Sequence, residues 1–257
     1  MPATGTYGKR GRLRTDNDTT GTRLLAPTYG RSRIRTYGGK SGDILIESQA
    51  ERLVAHMLSI DSHVVRFRPQ PFTVDLNGQR LLTTKEQVKE VLARYSYEKG
   101  PRIYTPDFCI DWVGSKQTAL EVKTDAYPGD ERYQERLKLA GSILRDYGYE
   151  LGKVVLARSF SGPLKQNIQL LQQAKRVHYG LLSTETLERL HQLEGQELTL
   201  GNVCQHLSVP LNFAPILVLA GAIAFDLRSH PFHAQTPVVL AYGELEHLHL
   251  IGGLCDA

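Results

Sequence analysis

The sequence predicts an α/β protein in two parts: a mixed sheet flanked by helices, then a smaller unit of three helices and a two-stranded wing. Up to about residue 177, segments with helical apolar spacing alternate with short extended runs. Beyond it, three short helical stretches follow one another and two strand-like runs close the chain. Charge divides the same way, with +7 over residues 1–40, +3 over 41–177 and −6 over 178–257. The predicted organisation is a flexible basic arm (1–40), a sheet-and-helix domain (41–177) and a winged-helix domain (178–257).

The arm is rich in Gly, Thr and Arg, with nine Lys/Arg against two Asp and almost no periodic apolar signal. Such a segment suits contact with nucleic acid phosphates. A helix follows from Ser48, because Ala50, Leu53, Val54, Met57 and Leu58 fall on one face. Val64–Arg68, Phe72–Leu76, Ile103–Trp112 and Thr118–Lys123 read as strands, and Asn77-Gly78 marks a hairpin. Thr84–Tyr95 reads as an inserted amphipathic helix, Glu131–Tyr147 as a long helix, Val154–Arg158 as a buried strand and Leu164–Val177 as a further helix. In the last part, helices are predicted at Thr184–Leu193, Leu200–Leu207 and Asn212–Ala220, with Pro215 in the third helix's first turn and Gly221 stopping it. Ala222–Leu227 and Pro237–Tyr242 supply the wing strands.

Composition sets outer bounds. Of 257 residues, 41% are hydrophobic and 23% charged, as in ordinary soluble proteins. The three cysteines, Cys109, Cys204 and Cys255, are far apart and form no C-x-x-C pair, which argues against a disulfide framework and for a reducing cytoplasm. The most apolar stretch, Phe213–Phe225, is shorter than the roughly 20 residues a membrane span needs, so no membrane partner is expected. No phosphate-binding loop or dinucleotide fingerprint is present.

The chemistry concentrates in Tyr104-Thr105-Pro106-Asp107-Phe108 and Leu120-Glu121-Val122-Lys123. Pro106 holds Thr105 extended, so Asp107 enters a strand with its backbone constrained. Glu121 and Lys123, two apart on a strand, project from one face. Asp107 and Glu121 on neighbouring strands can converge on a hard divalent cation, Mg²⁺ or Mn²⁺, with Lys123 beside it. A third carboxylate would come from the preceding helix: Glu51, with Glu47 as the same-face alternative. Glu-x-Lys and Pro-Asp are common fragments, and Ser48-x-x-Glu51 is also a helix-capping box. The joint order of helix Glu, hairpin, Pro-Asp and Glu-x-Lys favours a catalytic site. Gln70 is a possible accessory residue, orienting the Glu51 helix or touching the scissile strand. Histidines such as His230, His233, His247 and His249 match no four-ligand zinc spacing, and zinc is not expected.

The set Glu51, Pro106-Asp107 and Glu121-Val122-Lys123 resembles the PD-(D/E)xK nucleases, whose fold is restriction-endonuclease-like. With Glu47-Ser48-Gln49-Ala50-Glu51-Arg52 and Arg68-Pro69-Gln70-Pro71-Phe72 added, the chain resembles the TnsA family over about residues 30–180. The spacing from Glu51 to Ser59-Ile60-Asp61 also suits that family and favours Glu51 over Glu47. The resemblance implies the endonuclease subunit of a TnsABC-type transposon, which cuts the 5′ ends of the element during cut-and-paste transposition. It implies transposon-end duplex DNA as substrate, with a TnsB-like transposase and a TnsC-like ATPase regulator as partners. The stretch Thr84–Gly100 departs from the family pattern as an insertion. A stand-alone restriction or repair nuclease, or a catalytically silent DNA-binding or assembly module, are the alternatives.

Overall fold

The computed structural model describes residues 6–7, 13–14, 21–22, 34–37, 39–126, 129–157, 162–177, 183–252 and 255–256. Most of the expected basic arm and Arg158 lie outside the described residues. The first elements are β1 (Thr6–Tyr7), β2 (Leu13–Arg14), β3 (Ile34–Tyr37), β4 (Asp43–Ile46), α1 (Gln49–Ile60) and β5 (Val64–Pro69). Next come β6 (Thr73–Asp75), β7 (Arg80–Leu82), α2 (Lys85–Arg94), β8 (Ile103–Tyr104), β9 (Phe108–Trp112), β10 (Gln117–Thr124), α3 (Glu131–Asp146), β11 (Tyr149–Leu156) and α4 (Leu164–Val177). The last part holds α5 (Thr184–His191), β12 (Leu198–Thr199), α6 (Leu200–His206), α7 (Ala214–Leu219), β13 (Ile223–Ala224), β14 (Pro237–Leu240) and β15 (Cys255–Asp256).

The protein is α/β, and its central five-stranded sheet runs in the order β15-β11-β10-β9-β5. Only the β10–β11 pair is parallel, so the sheet is mixed. Alternation along the strands separates two cores. Phe108, Ile110, Leu120 and Val122 pack with Val54, Met57 and Leu58 of α1 and Ile168 and Leu171 of α4. Cys109 and Ala119 point the other way, toward Tyr133, Leu137, Ala140 and Leu144 of α3. The sheet is thus covered by helices on both faces.

Two expected strands differ in extent. Ile103–Trp112 is broken at Thr105-Pro106: β8 pairs with β6 in a second sheet, whereas β9 pairs with β5 and β10. Pro106 has no N–H to donate, so it marks the point where the chain changes sheets. The strand expected to start at Val154 begins at Tyr149, because parallel pairing from Gln117↔Tyr149 onward extends it beyond its apolar run. The hairpin at Asn77-Gly78 joins β6 to β7, and the Asp75 carboxylate accepts from the Gly78 N–H at 2.9 Å. A Cβ on Gly78 would stand 2.4 Å from that carboxylate, so glycine is required by close approach. The inserted helix forms as α2, with a reciprocal capping box between Thr84 and Gln87.

The last part shares its core with the first. One apolar cluster runs from Ile44 through α1 and α4 to α6, α7 and Ile251. Asn167 of α4, fully buried, donates to the carbonyls of Leu227 and His230 at 2.8 and 2.7 Å. β12, too short to be seen in the sequence, pairs with β14, and the small sheet runs β12-β14-β13. α7 starts later than expected, after a 3-10 turn at Leu211–Phe213, and Gly221 follows at φ +67. The chain then returns to the central sheet, where β15 pairs antiparallel with β11. No single helix among the described residues is long and apolar enough to cross a membrane.

Candidate active site

Asp107 sits at the last position before β9, opposite Glu121 of β10. Its N–H donates to the Leu120 carbonyl at 2.9 Å, and its carbonyl accepts from the Gln70 N–H at 3.1 Å. Its Oδ2 accepts from the Val122 N–H at 2.8 Å. The side chain is therefore tied to the main chain between Glu121 and Lys123. This adjacency is the one anticipated from Pro-Asp and Glu-x-Lys.

Glu121 is buried and surrounded by donors. Tyr104 donates its phenol to Oε2 at 2.9 Å, and Tyr133 of α3 donates to Oε1 at 3.1 Å. Lys123 Nζ lies 2.7 Å from the same Oε1 and 4.9 Å from the centroid of the Tyr133 ring. Burial first, then the negative charge of Glu121, pushes both phenols well above the usual tyrosine range. Both hydroxyls therefore stay protonated as donors throughout the working pH range. Burial likewise pushes the Cys109 thiol up to about 11, which keeps it an inert core group.

Glu51 is also buried, in the first turn of α1. Its N–H donates to Ser48 Oγ at 3.1 Å, while its carboxylate accepts from the Glu47 N–H and from Ser48 Oγ, both at 2.9 Å. The capping role allowed by Ser48-x-x-Glu51 is therefore present, shifted by one residue, since the side chain takes the N–H of Glu47 and not that of Ser48. Among the described residues, the three acidic or histidine side chains whose ligand atoms lie within 4.8 Å of one another are Asp61, His63 and His249. Glu51, Asp107 and Glu121 do not close into such a group. Each has its carboxylate held by donors of the protein.

Gln70 carries the backbone strain of the site. It is buried, has φ +46, and bonds through its main chain to Asp107 on one side and Thr22 on the other. A non-glycine residue in the left-handed region costs of order 1–3 kcal/mol and persists only where surrounding contacts enforce it. A hydroxyl chain from Thr22 through Thr73 to Thr105, each step 2.8 Å, runs alongside. Thr22, assigned to the arm in the sequence, is buried here. Sequence reasoning missed Tyr133, which has no local signal, and gave no role to Tyr104 although it precedes the Pro-Asp fragment.

A mixed sheet clad by helices, presenting an acidic pair and a lysine on adjacent strands, is consistent with an endonuclease-like fold. Residues 61–154 match the family model described as TnsA-like endonuclease N terminal. The match spans Asp107, Glu121 and Lys123 and begins after Glu51. No curated protein matches the chain.

Proposed function

We propose that this protein is a metal-dependent DNA endonuclease, the TnsA-like subunit that cuts the 5′ ends of a transposon. The Asp107 Oδ2 bond to the Val122 N–H carries the reading, because it holds both halves of the acidic motif in one register. The donor set fits a hard divalent ion such as Mg²⁺ or Mn²⁺: buried carboxylates at Asp107 and Glu121, with Glu51 as the third. Such an ion, when bound, acidifies water and stabilises charge on a phosphate. Lys123 neutralises phosphate charge and positions the attacking water. Tyr104 and Tyr133 orient Glu121, and Gln70 holds the Asp107 backbone.

We read residues 178–257 as a winged helix that serves protein partners. The order α5-β12-α6-α7-β13-β14 supports the fold. Winged helices commonly insert their third helix into the major groove. Here α7 has five buried residues, Ala214 to Val218, and packs on α4. With a charge of −6 over 178–257, this part favours a TnsB-like transposase or a TnsC-like ATPase over a phosphate backbone.

The test is strand cleavage at transposon-end DNA with Mg²⁺, by the full-length chain alone and with both partners added. Cleavage that needs the partners supports the subunit reading. Efficient cleavage by the chain alone supports a stand-alone nuclease, and none under any condition leaves a silent module.

A further inference from the structure

Where α1 ends, the chain turns through Asp61 and His63 into β5, and the segment after β14 comes back to meet it. Asp61 is fully buried. Its Oδ1 accepts from the His63 N–H at 2.9 Å, and its Oδ2 accepts from the N–H groups of Leu250 and Ile251 at 2.8 and 3.0 Å. His63 Nδ1 stands 2.8 Å from His249 Nδ1 and 3.8 Å from Asp61 Oδ1. We propose that Asp61, His63 and His249 form a zinc site, separate from the nuclease motif, that clamps the C-terminal segment to the end of α1.

Ligand chemistry supports the assignment. Zinc takes imidazole nitrogen and carboxylate oxygen at about 2.0–2.2 Å, so tetrahedral neighbours lie about 3.3 Å apart. Two of the three separations, 2.8 and 3.8 Å, bracket that spacing, and all three ligand atoms lie within 4.8 Å of one another. Zinc needs neutral imidazoles with their lone pairs facing it. His63 Nε2 is 3.3 Å from Glu246 Oε1, a carboxylate placed to accept a hydrogen bond from Nε2–H and so leave the Nδ1 lone pair for the metal. His249 is held from both sides: its ring stacks on Trp112 at 9° and 6.0 Å, and a Cβ at Gly252 would stand 1.5 Å from its Nε2. Only Nδ1 is left to face Asp61 and His63.

Access and charge also fit. The His63 side chain is one-third exposed, and His249 lines a cavity of about 660 Å³ together with Arg228 and His247. Lys40 bonds the Asp61 main-chain carbonyl, and Oδ1 is the carboxylate oxygen that faces His63. The competing arrangement without a metal has one Nδ1 protonated, donating to the other or to Ser62 Oγ, which lies 3.2 Å from His63 Nδ1. The joined residues are 186 apart in a sequence of 257, so coordination would close a loop of more than half the chain and stabilise the fold.

The test uses the full-length chain after chelator treatment, titrated with Zn²⁺ and with Co²⁺ as a coloured probe. Trp112 is the only tryptophan and stacks on His249, so its emission reports the site. One equivalent of Co²⁺ should quench that emission and give visible bands of a tetrahedral nitrogen-oxygen site, and Zn²⁺ should displace it and raise the thermal midpoint. His249→Ala and His63→Gln should each weaken binding by more than about tenfold and abolish the thermal gain. Gly252→Ala should weaken it without removing a ligand, while Asp107→Asn and Glu121→Gln leave the signal intact, separating this site from the nuclease motif. Absence of quenching in the wild-type chain, or equal quenching in His249→Ala and His63→Gln, overturns the proposal. Both histidine variants are partly exposed, so a folding failure in one leaves the other to decide.

Discussion

Asp107 accepts, through Oδ2, a 2.8 Å hydrogen bond from the N–H of Val122. Val122 lies between Glu121 and Lys123, so this bond makes Asp107 a structural brace for the residues it is proposed to work with. The two roles separate by substitution. Asp107→Asn keeps a carbonyl acceptor for the N–H, so the protein should fold normally and lose strand cleavage. Asp107→Ala leaves a buried donor unpaired, at a cost of about 1–3 kcal/mol. Denaturant midpoints and a nicking assay on both variants check this. Wild-type cleavage by Asp107→Asn would remove Asp107 from the active site.

The paired phenols on Glu121 make a second expectation. Hydrogen bonds to a charged group contribute about 1.5–3 kcal/mol, and Tyr104→Phe removes one from the buried Glu121 carboxylate. Tyr104→Phe should lower stability by roughly that amount. Tyr133→Phe keeps its ring beneath Lys123 and should instead raise the Mg²⁺ concentration needed for half-maximal cleavage. Unchanged Mg²⁺ dependence in Tyr133→Phe would leave its hydroxyl with a purely structural role.

Glu51 and Glu47 are distinguished by what each supplies. Glu47 serves Glu51 through its main-chain N–H, which alanine retains. Glu47→Ala should therefore cleave DNA normally. Glu51→Ala should be inactive and lose about 0.5–2 kcal/mol from the weakened helix start. If Glu47→Ala alone is inactive, the third carboxylate has been misassigned.

A pH effect on stability is expected from Lys40. Burial, with the neighbouring charge of Lys175 second, lowers its ammonium to about 8 from an ordinary 10.5. Both lysines converge on the end of α1, bonding the carbonyls of Asp61 and Ser59. Between pH 8 and 10.5 the unfolded chain binds more protons at this position than the folded one, so stability should rise with pH across that window. Below pH 8 the lysine is charged in both states, and its contribution is flat. Urea unfolding at pH 7.5 and 9.5 should show a larger gain for the wild type than for Lys40→Met. Equal gains would place the titration elsewhere.

The basic arm should contact DNA without reading sequence. Deleting residues 1–20 leaves Thr22 in its buried place and removes Lys9, Arg10, Arg12 and Arg14. Each lost phosphate contact should reduce the slope of log affinity against log salt by about 0.9. A binding series from 50 to 200 mM salt measures it, and an unchanged slope would exclude the arm from the interface.

Local grammar made much of this protein legible. Apolar spacing located α1, where Leu53, Val54, Met57 and Leu58 are all buried. Pro106 marked the entry to β9, and the two-residue step from Glu121 to Lys123 placed them on one strand face. Asp107 beside Glu121 followed from adjacent strands alone. β12 was not legible, since two residues carry no period and only pairing with β14 defines them. The start of β11 was hidden for the same reason, because Tyr149 to Gly152 are strand through their parallel partners in β10.

The sequence by itself determined the α/β class, most helices, and the Asp107, Glu121 and Lys123 neighbourhood, because those follow from φ restrictions and side-chain periodicity over a few residues. Tertiary structure alone decided that Tyr133 reaches Glu121, that α7 is covered by α4, and that β15 closes the central sheet. It alone brought His249 to His63 and Asp61, although His249 has no zinc-like spacing within the chain. An amphipathic pattern states that a face will be buried, but not against which partner. That choice belongs to the packing of distant surfaces, where loop closure, shape and hydrogen-bond satisfaction are resolved together.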